Sequence, residues 1–238
     1  MRRNNLIILK KAFHWNQFAW AYCLSKNKAA SEILKLKKKN VLEIGATKFS
    51  QLSLILKKNS YDDLTISIYG EKSFIDVEKA IKKNFYNNNL VNLKVVDIFN
   101  IEGTYDLIIM KSILGGLGKN KKINFKIENL ISKIIKNNLE KNGSIITMDN
   151  GDSLIGKLFF KNLGQRNKNW KYFIPDDFKN SDEIYSFGLF SCISYSVRLK
   201  FIGEVIDTIN FFLDLLINDL VPAKFRAIHC ALYIKKTK

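Results

Sequence analysis

Asn40-Val41-Leu42-Glu43-Ile44-Gly45-Ala46-Thr47-Lys48-Phe49-Ser50-Gln51-Leu52-Ser53 follows a lysine run and changes character within a few residues. Val41–Ile44 is apolar except for Glu43 and reads as a buried strand. Gly45 supplies the backbone freedom for a tight turn. A helix is expected from Ser50 to about Lys58. A strand, a glycine turn and a helix in this order open an α/β domain, whose ligands bind beyond the carboxyl ends of the strands.

The rest of the chain fits one such domain. It has 238 residues, 47% of them apolar, which is enough for one large core. Only Pro175 and Pro222 occur, and no Gly/Ser-rich linker divides the sequence. The expected division is an N-terminal helical extension over 1–39 and a domain over 40–238. Phe13, Trp15, Phe18, Trp20 and Tyr22 crowd the extension and are expected to cap the open edge of the domain, with a lid over substrate as the alternative.

From Asn40 onward, strands alternate with helices, as in a parallel sheet with crossover helices. Strands are expected at Val41–Ile44, Leu64–Tyr69, Leu93–Val96, Tyr105–Met110, Ser144–Met148, Phe190–Leu199 and Phe225–Ile234. Helices are expected at Phe74–Phe85, Phe125–Leu139, Ser153–Phe160, Pro175–Phe187 and Phe201–Leu220. The helix Phe125–Leu139 shows the clearest 3.6 period, through Ile127, Leu130, Ile131, Ile134 and Ile135. Gly115, Gly116 and Gly118 are expected in a loop, and Lys141-Asn142-Gly143 in a turn.

Composition narrows the function classes. Cys23, Cys192 and Cys230 are far apart, and the histidines are His14 and His229, so no metal site is expected. Free thiols fit a cytoplasmic location. The apolar run after Arg2-Arg3 ends at Lys10-Lys11, too early for a signal peptide. The helix Phe201–Leu220 contains Glu204, Asp207, Asp214 and Asp219, which argues against a membrane span. The net charge of +17 is compatible with nucleic acid or an anionic membrane surface. Nearly all of it is lysine, however, whereas arginine is the preferred residue for planar phosphate and base recognition. Nucleic acid is therefore the weaker partner reading.

The segment Val41-Leu42-Glu43-Ile44-Gly45 resembles the first motif of class I S-adenosylmethionine (SAM) methyltransferases. The strand count matches that family's Rossmann-like sheet of seven strands, with helices on both faces and the last strand antiparallel between the fifth and sixth. The resemblance implies SAM as cofactor. Gly45, Ala46 and Thr47 would lie along its methionine part, with Glu43 near its amino group. Glu71 would take the ribose hydroxyls, Asp97 the adenine amino group and Ile98 the adenine ring. Met110 would lie beside the transferred methyl. Where the family has its second and third glycines, this chain has Thr47 and Phe49, and their side chains narrow the approach to the ligand.

Lys111-Ser112-Ile113-Leu114-Gly115-Gly116 takes the place of the motif that amino-group and base methyltransferases carry after strand four. It resembles a group of methyltransferase-like proteins of bacterial surface-polysaccharide biosynthesis. Asn169-Trp170-Lys171-Tyr172-Phe173 and Val221-Pro222-Ala223-Lys224-Phe225-Arg226 extend that likeness. The implied reaction is O-methylation of a small-molecule sugar or glycan precursor. Methyl transfer needs positioning and water exclusion, and a hydroxyl acceptor also needs a base and a counter-charge. Asp149 is the candidate base, Lys111 the oxyanion partner and Ser112 a further rim group, with Asp152 nearby. The alternatives are an RNA methyltransferase, on charge alone, and a catalytically inactive partner module, on Thr47 and Phe49.

Overall fold

The computed structural model describes residues 3–48, 50–56, 61–68, 74–85, 91–117, 126–160, 170–193 and 200–236. Strand β1 (Lys38–Ile44) buries Val41, Leu42, Glu43 and Ile44 in succession, so both faces of the sheet are covered there. It pairs in parallel with β2 (Tyr61–Ile68) on one side and β4 (Tyr105–Lys111) on the other. With β3 (Val91–Val95), β5 (Leu139–Asn150), β6 (Glu183–Phe187) and β7 (Ile228–Ile234), the order is β3-β2-β1-β4-β5-β7-β6. β7 is antiparallel to both its neighbours, as the family resemblance implies. The order reverses between β1 and β4, which places the ligand crevice of an open α/β sheet beyond Ile44 and Met110.

Alternate residues of the strands feed two apolar layers. Val41, Leu107, Ile109 and Met148 face one layer; Leu42, Ile44, Ile108 and Met110 face the other. The second layer is closed by α6 (Ile127–Asn138), which buries Ile127, Leu130, Ile131 and Ile134 at helical spacing. α4 (Phe74–Phe85) contributes Val77 and Ile81 to the first layer. The N-terminal segment forms α1 (Arg3–Phe13), α2 (Gln17–Lys26) and α3 (Lys28–Ile33). These helices place Phe13, Trp20 and Cys23 in the same apolar layer as β1, β2 and β4. Asn27 fastens them: its Oδ1 accepts from Ala30 N at 3.0 Å, and its Nδ2 donates to Cys230 O at 3.1 Å.

Several elements differ from expectation. The helix expected from Ser50 to about Lys58 is a single 3-10 turn, Leu52–Ile55, whose start is held by other parts of the chain; residues 57–58 of that expectation lie outside the described residues. Gln51 N donates to Lys11 O and Ser50 Oγ to Ala12 O, while the Glu43 carboxylate takes the amides of Leu52 and Ser53. Gly115 and Gly116, expected in a loop, lie in a short helix, α5 (Leu114–Leu117), and Gly118 lies outside the described residues. Lys141-Asn142-Gly143 is a kink inside β5, with Asn142 at φ 61° and a register shift against β4 between Tyr105 and Leu107.

The helix expected over Pro175–Phe187 is a 3-10 turn, Pro175–Phe178, followed by β6. Asp177 closes the turn by accepting from Ile174 N, and the open edge of β7 then captures Glu183–Phe187 as a ladder. The sixth strand therefore lies before Phe190–Leu199, where it was expected. Residues 189–193 form a turn, and 194–199 lie outside the described residues.

That turn is organised by α7 (Lys200–Ile217). Asp214 is fully buried on this helix, and its carboxylate accepts from the amides of Leu189, Phe190 and Ser191 and from Ser191 Oγ. Asn218 Oδ1 adds a bond from Gly188 N at 3.2 Å. Asp214→Ala leaves three amides, one buried and two half-buried, without their acceptor. It is expected to lower the unfolding free energy by on the order of 3 kcal/mol. Urea denaturation followed by circular dichroism reads this directly.

Candidate functional site

The carboxyl ends of β1, β2 and β4 meet at Gly45. Its φ of +75° suits glycine, and Ala46 N donates to Ser67 O at 2.9 Å to carry the turn across β2. Ile113 covers this turn: a Cβ on Gly45 would lie 2.0 Å from Ile113 Cδ1. Thr47 is exposed and closes the loop with Ser50 through Thr47 N to Ser50 O, 3.0 Å, and Ser50 N to Thr47 Oγ1, 3.1 Å. Glu43 is buried. It accepts from Leu52 N at 2.5 Å, Ser53 N at 3.0 Å and Ser53 Oγ. Burial pushes its carboxyl upward, and these donors oppose the shift.

The other expected cofactor residues are spread out. Asp97 is exposed past the end of β3, accepting from Phe99 N at 3.0 Å and Asn100 Nδ2 at 3.1 Å, so it caps its own turn. Ile98 and Met110 are buried together in the second apolar layer with Ile44 and Leu114. Glu71 and Phe49 lie outside the described residues.

The candidate catalytic residues converge. Lys111 ends β4 in register with Met148, next to Asp149 on β5. Ser112 turns the chain with φ 54°; its amide donates to Met148 O at 2.7 Å, and its Oγ is 3.4 Å from Asn150 Nδ2. The Lys111 residue is half-buried, and its ammonium is the deeply buried end. That ammonium lies 4.6 Å from the centroid of Trp20 and 5.8 Å from that of Trp15. Burial lowers it to about 8, opposed by Asp149 and then Glu43. Asp149 is fully buried. Thr147 Oγ1 donates to its Oδ2 and the nearby amides of Gly115 and Leu114 favour its charged form, yet burial still raises it to about 6.

Asp149 Oδ1 has no hydrogen-bond partner among the described residues. Gln17 Oε1, Trp20 Nε1 and Trp170 Nε1 are likewise buried and unpaired. Two of them, Trp20 and Trp170, lie close to Lys111 and Asp149. Trp20 packs on Lys111, with Gln17 one turn before it on α2. Trp170 lies on Gly115, whose amide is near Asp149. Buried polar atoms are ordinarily satisfied, so the orphaned Asp149 Oδ1, with Trp20 Nε1 and Trp170 Nε1 near it and Lys111, marks a candidate place for a polar ligand. By sequence, the aromatics of residues 13–22 read first as a cap on the domain's edge, with a lid over substrate as the alternative, and Trp170 carries no site role of its own.

The remaining titratable groups are otherwise engaged. His229 opposes Asp149 in the β5–β7 ladder. Its Nε2 lies 3.0 Å from Phe173 O and must carry the proton, so Nδ1 accepts from Ser186 Oγ at 2.8 Å. Burial lowers it to about 4, and the ring is a neutral structural link. Asp152 pairs with Lys157 at 2.5 Å. Among the described residues, no group of three or more His, Cys, Asp or Glu side chains is placed to hold a metal ion. An open depression of about 300 Å³, lined by Asn40, Asp63, Lys94 and Tyr105 among others, lies at the opposite, amino-terminal edge of the sheet and touches none of these groups.

The chain is similar in structure to several solved proteins. Coclaurine N-methyltransferase, bound to N-methylheliamine and SAH, is 14% identical with a TM-score of 0.56, over 87% of this chain and 70% of that one. A putative sarcosine dimethylglycine methyltransferase from Galdieria sulphuraria is 10% identical with a TM-score of 0.52, over 90% and 84%. Magnesium protoporphyrin IX methyltransferase from Synechocystis PCC 6803, with bound SAH, is 14% identical with a TM-score of 0.50, over 91% and 80%. No family model and no curated protein matches the sequence. The likeness establishes the Rossmann-like methyltransferase fold.

Gly115 is the tightest point of the site. A Cβ there would lie 2.0 Å from Trp170 Nε1 and 2.7 Å from Lys171 O, whereas Gly116 would meet only the Trp170 ring at 3.1 Å. Gly115→Ala is expected to destabilise the protein by roughly 1–3 kcal/mol, despite its better helix propensity, and Gly116→Ala by less. Chemical denaturation followed by tryptophan fluorescence separates the two.

Proposed function

We propose that the chain is a SAM-dependent methyltransferase that methylates a hydroxyl of a sugar or glycan precursor in the cytoplasm. One observation carries this reading: the buried Asp149 carboxylate, with Oδ1 unpaired, beside the Lys111 ammonium at the carboxyl ends of β4 and β5. The names of the structural neighbours span an alkaloid, a small amine and a porphyrin, so they favour no acceptor. The sugar assignment rests on the motif likeness. Two of those motifs meet at the site, with Trp170 lying on Gly115 and Gly116 and Lys171 N donating to Gly115 O at 2.9 Å.

The residues present fit the cofactor. Gly45 provides the required turn, and the exposed Asp97 carboxylate has lone pairs beyond the two it uses. Ile113 shields Gly45 through the tip of a flexible side chain, which must rotate for a ligand to reach the turn. Glu43 holds the 3-10 turn and acts on the site from behind. SAM, when bound, supplies an activated methyl group, so the protein's work is positioning and proton handling. Asp149 Oδ1 is placed to accept the acceptor hydroxyl's proton. Lys111 is placed to steady the oxygen as charge develops on it. Trp15 and Trp20 shut water away from that ammonium, which strengthens its field.

A second reading has its own observation. With Ile113 on Gly45 and Glu43 engaged by Leu52 and Ser53, the chain resembles a module that binds no cofactor and assists a partner enzyme. Calorimetric titration with SAM or its demethylated product distinguishes the two. The methyltransferase reading expects binding, weakened at least about tenfold by Gly45→Val and strengthened by Ile113→Ala. An absence of binding to the wild-type protein selects the module.

The chemistry predicts a bell-shaped pH profile for kcat/KM. Asp149 works ionised, so activity rises through about 6; Lys111 works protonated, so activity falls through about 8. Lys111 holds Asp149 down, so Lys111→Met is expected to move the acid limb to higher pH as well as reduce turnover.

A further inference from the structure

α7 is built inside out. Its buried side carries Asp207, Asn210, Asp214 and, just beyond its end, Asn218, at three- and four-residue spacing. Its outer side carries Ile202, Val205, Ile209, Phe212, Leu216 and, in the following turn, Leu220, exposed by 46, 45, 53, 60, 78 and 82%. A surface helix ordinarily does the reverse. The inward polar stripe is explained by Asp214 and Asn218 holding the turn after β6. Nothing within the described chain explains the outward apolar stripe.

We infer that this face joins two copies of the chain, α7 packing against α7 across a two-fold axis. Three properties choose a second copy over other occupants. First, residues 202, 205, 209, 212 and 216 alternate spacings of three and four, the seam of paired helices, and a lipid surface requires no such seam. Secondly, the spacing is nearly palindromic. An antiparallel pair with its axis between Ile209 and Phe212 sets these two side chains against each other across the interface, and Val205 against Leu216. That is the self-complementarity an isologous contact needs.

Thirdly, charge and area fit. The positions flanking the seam are Ile206, Thr208, Leu213 and Leu215, and no lysine or arginine occurs from Phe201 to Ala223. Two chains of net charge +17 can therefore meet here without facing like charges. An anionic bilayer would find no basic side chain in this stretch and would be repelled by Asp219, Glu204 being paired with Lys10 at 2.9 Å. The six outward residues expose on the order of 700 Å² together, above the few hundred typical of a monomer's patches and near the roughly 800 Å² per partner of a stable interface.

Sedimentation velocity on the full chain at micromolar concentration tests this. The wild type is expected to sediment as a dimer. Leu216→Glu and, separately, Ile209→Glu are expected to sediment as monomers with melting temperatures close to that of a dissociated wild type. Leu216→Ser, a milder change, serves where a glutamate variant fails to fold. A monomeric wild type, or glutamate variants that remain dimeric, overturns the inference. So does flotation of a monomeric wild type with phosphatidylglycerol vesicles that is lost in the variants, which would assign the face to lipid.

Discussion

A carboxylate removed from water must be surrounded by donors, and three buried carboxylates organise this protein. Glu43 gathers Leu52 and Ser53, which sets the turn after Gly45. Asp214 gathers three consecutive amides, which sets the turn after β6. Asp149 accepts from Thr147 Oγ1 and lies close to the amides of Leu114 and Gly115 in the segment after β4. The first two have donors on both oxygens. Asp149 keeps one oxygen unpaired near a lysine, and that difference sets it apart from the two carboxylates that hold the fold and makes it the candidate for chemistry.

The N-terminal helices belong to the same construction. α1 ends where Ser50 Oγ and Gln51 N reach back to Ala12 O and Lys11 O, so the loop after β1 rests on it. The connector to α2 contains His14 and Asn16, both with positive φ, and Asn16 Nδ2 donates to Ser191 O. Such backbone is costly for residues other than glycine and persists where its surroundings enforce it. Here it brings Trp15 and Trp20, whose rings lie 5.9 Å apart edge to face, onto the Lys111 ammonium. The edge of the site is thus made by the extension, and the aromatic residues that cover the sheet also desolvate the lysine.

Much of the framework was legible because it is local. Alternation and apolar runs placed β1, β2, β4 and β7, and the 3.6 period placed α6 within a residue or two. Lys111, Ser112 and Asp149 were legible as strand-end residues that must share one rim of a parallel sheet. β6 was misplaced because Glu183–Phe187 is too short to show a period, and becomes a strand only when β7 offers it a ladder. The helix after Gly45 was overread because nothing in residues 50–56 reveals that α1 and Glu43 hold the start of the turn.

The sequence by itself determined the α/β class, the strand that begins the sheet, the glycine that turns it and the set of polar residues at the strand ends. Periodicity and residue type are properties of neighbours along the chain. Only the tertiary structure decided which acids serve the backbone and which oxygen is left over. Only it showed that Ile113 covers Gly45, that Trp20 meets Lys111 and that α7 turns its polar side inward. Desolvation and pairing depend on residues up to two hundred positions apart, as Asn27 and Cys230 show, and no local pattern encodes them.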